Sequence, residues 1–369
     1  MPKETLPSVI MIGSDYKVQG GIGSVLSTYY ENGFLNDKIY LVSHREGSFW
    51  YRILIFARCM LDLFWHLLTK PNIKIIHMHM SERGSFYRKA LLCLLSFLFG
   101  KKAILHFHGA EFLIFVENSP APLKWFIHYI LDSASALFVL SDSWKSDLSR
   151  ITINKNIFVV YNPVFFDETQ ICHKPSTKSG LRKLKCLFLG RFGQRKGVYD
   201  LIRALAKLGV SAPVLLELYG DGELDQVKRL IEELNVGHNV HIHGWIRGEA
   251  KHQALCDTDV LILPSYNEGL PVAILEAMAY GLAVISTPVG GIAEAVHHDR
   301  NGLLVPPGDV SALASAILRL ANEPDTVLRF QAESRLICRA NFAHECIFDR
   351  LNELYENIIS REHMARATR

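Results

Sequence analysis

What this chain has little of narrows the reading first. It carries seven cysteines in 369 residues, Cys59, Cys93, Cys172, Cys186, Cys256, Cys338 and Cys346. They are scattered and none forms a Cys-x-x-Cys pair, so neither a zinc site nor a disulfide framework is expected, and a reducing cytoplasm fits. Charge of one sign is also scarce, with a net of +3. Residues 1–170 hold 17 Lys plus Arg against 14 Asp plus Glu, whereas residues 171–369 balance at 23 against 23. That excess is too small to argue for nucleic acid, but it is compatible with an anionic membrane surface. No signal peptide is expected, because Met1-Pro-Lys-Glu-Thr-Leu-Pro7 runs straight into a strand. Phe49 to Leu68 reaches membrane-spanning length, yet Arg58 and Asp62 interrupt it. It reads as an amphipathic helix, buried or interfacial.

What is present suits two α/β domains, each able to bury its own core. One stretch organises the rest: Pro264-Ser-Tyr-Asn-Glu-Gly-Leu-Pro-Val-Ala-Ile-Leu-Glu-Ala-Met-Ala-Tyr-Gly281, continuing to Gly290-Gly291. It follows the apolar run Val260-Leu-Ile-Leu263, which reads as a buried parallel strand. Pro271 suits a helix first turn, Val272 to Tyr280 carries the helix, and Gly281 is placed to end it. A second buried strand, Leu282 to Ser286, completes a βαβ unit with ligand space at the carboxyl ends of its strands.

Two carboxylates mark that space. Glu268 lies in the loop before the helix and Glu276 about a turn into it, with the helix-opening amides of Gly269-Leu270-Pro271 between. Helix N-termini attract phosphates, whereas two acids suit sugar hydroxyls better than a bare phosphate. From the spacing alone, Glu268 as a cap and Glu276 as a solvated residue remains open. The whole stretch resembles the signature of the retaining GT-B glycosyltransferases, in particular family 4, the group 1 glycosyl transferases. The matching residues are Glu268, Gly269-Leu-Pro-Val272, Glu276-Ala277, Gly281, Pro288 and Gly290-Gly291.

In the first half, the strand Val9–Ile12 leads through a loop, Gly13–Gly23, into a helix from about Ser24. Gly20 and Gly21 match a family loop that packs on the donor diphosphate. Further strands are expected at Ile39–Val42, Ile73–His79, Ala103–His108, Ala136–Leu140 and Ile157–Tyr161. His106 and His108 share one sheet face and resemble a metal pair with Glu111 as a third candidate, but structural histidines are the commoner case. In the resembled family a His-Gly after this strand contacts the donor sugar, and His108-Gly109 matches it. Arg52, Arg58, Arg83, Arg88, Lys89, Lys101 and Lys102 lie beside apolar runs, an arrangement that suits a surface resting on lipid or a core helix with a solvated basic end. Asn162-Pro-Val164 resembles the family's Asn-Gly-Val turn with proline in place of glycine.

The second half opens with Leu184–Leu189 and Gly190-Arg191-Phe-Gly-Gln-Arg-Lys196-Gly197, cations around a Gly-rich turn. This resembles the family's Gly-Arg-x4-Lys-Gly motif, in which the arginine and lysine bind the donor diphosphate. Arg195 is an additional charge without an assigned role. Trp245-Ile246 is expected near the nucleotide base, and His241 and His243 read as structural.

The resemblance implies two doubly wound Rossmann-like domains facing across a cleft. Residues 1–165 form the acceptor side, 166–183 a linker, 184–342 the nucleotide-sugar domain, and 343–369 a helix crossing back. It implies sugar transfer from a UDP- or GDP-linked donor to a glycan or polyprenyl-diphosphate-linked acceptor, with retention and without a metal or other cofactor. His108 and Glu268 are the implied catalytic residues. Gly20, Gly21, Arg191, Lys196, Gly269, Leu270, Pro271 and Glu276 are the implied donor contacts. Exopolysaccharide, capsule or O-antigen synthesis fits, at the inner face of the membrane. The alternative is a GT-B partner subunit that binds a nucleotide sugar without turnover.

Overall fold

The structure, a computed structural model, describes residues 8–169, 183–209 and 211–367. The chain divides into two units: Met1–Pro163 with His344–Arg369, and Val164–Ala343. Most of the expected linker, 170–182, lies outside the described residues.

The first unit alternates strand and helix: β1 (Val9–Ser14), α1 (Gly21–Glu31), β2 (Ile39–His44), α2 (Phe49–Thr69), β3 (Ile75–Met80), α3 (Gly84–Leu98), β4 (Lys102–Phe107), α4 (Phe112–Glu117), α5 (Ala121–Ser133), β5 (Ala136–Val139), α6 (Asp142–Leu148) and β6 (Ile157–Val159). Its six strands are parallel in the order β2-β1-β3-β4-β5-β6. Helices on both faces bury the central strands completely, which is why β3, β4 and β5 read as continuous apolar runs broken only by histidine. The helix α1 begins three residues before the expected Ser24. Gly20 is therefore its N-cap and Gly21 its first residue, and the amides of this first turn have no intrahelical partner. The helix α3 likewise starts earlier than Ala90 and absorbs the basic stretch. That places Lys89 on its inward row with Phe86 and Cys93, fully buried. Lys89 therefore does not belong among the surface cations that suit a membrane.

The second unit runs β7 (Leu184–Leu189), α7 (Val198–Leu208), β8 (Val214–Tyr219), α8 (Leu224–Glu233), β9 (Val240–His243), α9 (Gly248–Cys256), β10 (Val260–Leu263), α10 (Val272–Ala279), β11 (Ala283–Ser286), α11 (Ile292–Ala295), β12 (Gly302–Leu304), α12 (Val310–Asn322) and α13 (Pro324–Asn341). Its parallel order, β12-β11-β10-β7-β8-β9, reverses direction between β7 and β10. That reversal opens a crevice at the strands' carboxyl ends.

The last helix, α14 (His344–Ala367), belongs to the first unit. Ile347, Leu351, Leu354, Tyr355 and Ile358 form its buried stripe at helical spacing. Phe348 stacks on Phe34 at 4.5 Å between ring centroids.

Cys59, Cys93, Cys186, Cys338 and Cys346 are free thiols, whereas Cys256 is disulfide-bonded. The cysteine spacing gave no sign of a disulfide, and Cys256 departs from that. No cysteine lies near it in sequence, so its bond leaves no local spacing signature.

Candidate functional site

Two loops meet at the switch point of the second unit. After β7 the chain turns through Gly190, Arg191 and buried Phe192, then forms a short 3₁₀ turn, Gln194–Lys196. After β10 it runs through Pro264 to Pro271. Tyr266 joins the two: its amide donates to the Arg195 carbonyl at 2.9 Å, and its hydroxyl donates to Asp200 on α7 at 2.6 Å. The approach is close enough to require glycine. Gly197 sits at φ +73°, and a Cβ there would lie 2.0 Å from the Pro264 carbonyl oxygen. On the other side of the second loop, Gly290 at φ +56° leaves only 1.9 Å between a built Cβ and the Glu268 carbonyl oxygen.

This packing brings Lys196 and Glu268 together. The Lys196 ammonium donates to Oε1 of Glu268 at 2.5 Å, and the Ser265 hydroxyl donates to the same oxygen at 2.9 Å. Arg195 donates to the Asn267 carbonyl at 3.1 Å and stands 3.8 Å from Oε2 of Glu268. Glu268 is 6% exposed. A carboxylate in that position, held by two cations and a hydroxyl, is fixed in orientation. Arg191 is exposed, and among the described residues no ion pair engages it.

Glu276 lies on α10, where Lys251 of α9 donates to its Oε1 at 2.5 Å. Pro271 is the N-cap of α10 rather than its first helical residue, and no side chain caps that terminus. The Ile274 amide closes a turn on the Pro271 carbonyl at 3.0 Å, and the amides of Val272 and Ala273 before it have no partner within the helix. Leu270 is buried beneath them. Sequence reasoning missed Lys251 and Ser265 and left Arg195 without a role. Their pairing joins separate elements and leaves no periodic trace.

One Asp-x-Asp spacing occurs in the sequence, Asp257-Thr-Asp259. It lies at the amino end of β10, away from the ligand crevice. Asp259 accepts the Lys185 amide at 3.0 Å and Asp257 accepts from Gln253, so both serve the fold. His241 and His243 both turn to Glu217, at 3.1 and 2.6 Å.

In the first unit, His108 follows β4 within a cluster of imidazoles. Its Nε2 lies 2.8 Å from Nδ1 of His79. Burial pushes the His108 imidazole down to about 4, partly offset by the Asn162 side chain. It is therefore neutral at pH 7. Glu111 is not part of this cluster and instead faces Arg83 at 4.0 Å. The trio that does gather is His77, His79 and His106, with ligand-capable atoms within 4.8 Å of one another. Hydrogen bonds occupy most of it. His106 Nε2 can only donate to the Val160 carbonyl, at 3.4 Å, so its Nδ1 accepts from Nε2 of His77 at 3.2 Å. His77 Nδ1 then accepts the Tyr355 hydroxyl of α14 at 2.6 Å. The in-plane lone pairs of His77 and His106 are thereby engaged.

Residues 183–323 match the family model described as glycosyl transferases group 1. That segment is a group 1 glycosyl transferase domain. Among curated relatives, the chain is 26% identical to N-acetyl-alpha-D-glucosaminyl L-malate synthase of Bacillus anthracis over 70% of its own length and 68% of the relative's. It is 31% identical to the amylovoran biosynthesis glycosyltransferase AmsK of Erwinia amylovora over 47% of its length and 45% of the relative's. It is 30% identical to an uncharacterized glycosyltransferase of Methanocaldococcus jannaschii over 51% of each. The chain thus spans about half the length of the last two. Among solved structures, Anabaena HepE in complex with UDP superposes with a TM-score of 0.75 at 16% identity, covering 95% of this chain and 100% of that one. Sucrose-phosphate synthase of Thermosynechococcus elongatus superposes with a TM-score of 0.72 at 19% identity, covering 96% and 99%. The two six-stranded parallel units are those of the GT-B fold.

Proposed function

We propose that this chain is a retaining glycosyltransferase. It moves a sugar from a UDP- or GDP-linked donor to a glycan or polyprenyl-diphosphate-linked acceptor during surface polysaccharide synthesis. The observation that carries this is the Lys196–Glu268 pair at the switch point of the second unit, on the same strand-to-helix turn as exposed Arg191. The name of the Erwinia relative, an amylovoran biosynthesis enzyme, supports the polysaccharide context. The UDP in the HepE structure supports a nucleotide donor.

In this reading Arg191, Lys196 and the amides opening α10 hold the donor diphosphate and stabilise the charge that develops as it leaves, without a metal ion. The carboxylate of Glu268 accepts hydrogen bonds from the sugar hydroxyls. Glu276 receives the ribose hydroxyls. His108, neutral at pH 7, and the α1 terminus at Gly20 and Gly21 belong to the first unit. Attack comes from the face the leaving group departs: the acceptor oxygen bonds to the anomeric carbon, the phosphate oxygen leaves with the bonding pair, and that oxygen takes the acceptor proton.

The acceptor-side unit also rests on an anionic membrane surface. No helix among the described residues is long and apolar enough to cross a membrane. However, α2 exposes Trp50, Leu54, Leu61, Trp65 and Leu68 along one stripe, Trp50 by 76%, flanked by exposed Arg58. A helix with apolar side chains on its outward face suits the lipid interface. Turnover of a nucleotide-sugar panel with lipid-linked acceptors tests the reading, with NMR of the product's anomeric proton. Retained configuration supports it, and an inverted linkage overturns it.

A further inference from the structure

A second set of cations lies in the first unit, at the carboxyl edge of β2. Lys89 is 1% exposed, and its ammonium donates to the Ser43 hydroxyl at 2.5 Å. Ser43 is followed by His44, whose Nδ1 is buried without a partner, as is Nε of Arg88 beside Lys89. Arg52 joins them from α2. It occupies the same helical row as Phe56, Cys59 and Leu63, the row that packs on the sheet. Arg52 itself is exposed, on the row that faces the sheet rather than on the outward stripe. The charges of Arg88, Lys89 and Arg52 act on His44, and that of Arg52 acts on Arg88.

The neighbouring carboxylates are committed elsewhere. Asp15 holds Arg45 at 2.8 Å, and Asp62 faces Arg58 at 3.7 Å. A buried ammonium with no counter-ion costs several kcal/mol. Burial alone does not explain four basic groups, two of them with a buried unpartnered nitrogen, gathered at the ligand-binding edge of a parallel sheet. We propose that His44, Arg52, Arg88 and Lys89 form a binding site for the phosphoryl group of a phosphate ester, the phosphate of the acceptor. The site rests on the glycosyltransferase reading for its role as an acceptor site, but not for its chemistry. Arg52 and Arg88 present forked donors that match a phosphate's oxygens. Lys89 supplies charge from behind, through Ser43.

The test is equilibrium binding by the full chain with no donor present, so it does not depend on turnover. One arm uses phosphatidylcholine vesicles carrying a long-chain prenyl phosphate, against vesicles carrying the uncharged prenol. The other uses inorganic pyrophosphate in solution. Arg52→Gln and Arg88→Gln are at exposed or half-buried positions and should fold, which circular dichroism checks. The expected result is preferential binding to the phosphate-bearing vesicles that falls at least tenfold in each variant. Binding of pyrophosphate alone, lost in the same variants, supports the site and assigns it a soluble phosphate ester. Equal binding of parent and variants to both probes overturns the proposal, as does equal binding to phosphate-bearing and prenol vesicles with no pyrophosphate binding. A chain that binds phosphate here yet never turns over a nucleotide sugar overturns the transferase reading and leaves the site standing.

Discussion

Replacing Glu268 by Gln separates the two partners at the switch point. Glutamine keeps the shape and one carbonyl oxygen, so the Ser265 hydroxyl at 2.9 Å can still donate. What is lost is the charge facing Lys196 at 2.5 Å. A charge-assisted bond of that kind contributes about 1.5–3 kcal/mol. Arg195, nearly half exposed and 3.8 Å away, is screened by solvent and adds under about 1 kcal/mol. The ligand-free second unit should therefore lose about 2–3 kcal/mol. For a unit of 180 residues, 164 to 343, that lowers Tm by roughly 5–10 °C. Nucleoside diphosphate affinity should hold or rise, because Lys196 no longer has a competing carboxylate. Turnover should fall, because the sugar loses its charged acceptor. Calorimetric melting with and without UDP or GDP, then titration of each nucleotide, reads all three. An unchanged Tm would show that the pair is not formed in solution. A tenfold loss of nucleotide affinity would refute the division of labour between Lys196 and Glu268.

Other substitutions probe the remaining parts. Arg191→Ala and Lys196→Ala should each weaken donor binding by about 1.5–3 kcal/mol while leaving the fold intact, as titration and circular dichroism report. Glu276→Gln should weaken free nucleotide binding, since it loses the proposed ribose acceptor and frees Lys251, 2.5 Å away; unchanged affinity would remove Glu276 from the site. Turnover should survive excess EDTA, and complete loss restored by Mg²⁺ or Mn²⁺ would contradict the cationic clamp. Burial lowers Lys89 from 10.5 to about 7. The folded value lies below the unfolded one, so its penalty is full below pH 7 and lifts as pH rises toward 10.5. Lys89→Met should therefore stabilise the chain by up to about 5 kcal/mol at pH 6, with the gain fading by pH 10. Urea unfolding at both pH values checks this, and no gain at pH 6 would contradict a buried, unpaired ammonium.

The parallel α/β character was readable because buried parallel strands are apolar on both faces, as Val260–Leu263 shows. The loop residues of the second unit were readable for a different reason. Glycine and proline punctuate each strand-to-helix turn there, and Gly197 and Gly290 sit where a Cβ would strike backbone. What sequence could not convey was which charges meet. Lys196 and Glu268 are 72 positions apart, and only the packing of Tyr266 against Arg195 brings them together. Helix starts were also misplaced where glycine or charge opens a helix. The Gly20-Gly21 segment read as loop and Arg88-Lys89 as a solvated flank, although tertiary packing draws both into helices and buries Lys89. Alternation showed that His106 and His108 share a face, but not that His77 and His79 of β3 stack on them. Their hydrogen-bonded order, ending on Tyr355 of a helix nearly 280 positions later, depends on strand register and on the return of α14.

The central claim is that the second unit holds a nucleotide sugar by its diphosphate. Calorimetric titration of a panel of UDP- and GDP-linked sugars into the parent chain, Arg191→Ala and Lys196→Ala tests it most directly. The account predicts saturable one-site binding of at least one donor, weakened about tenfold or more in each variant. Binding of no donor, or equal binding by parent and both variants, would contradict it.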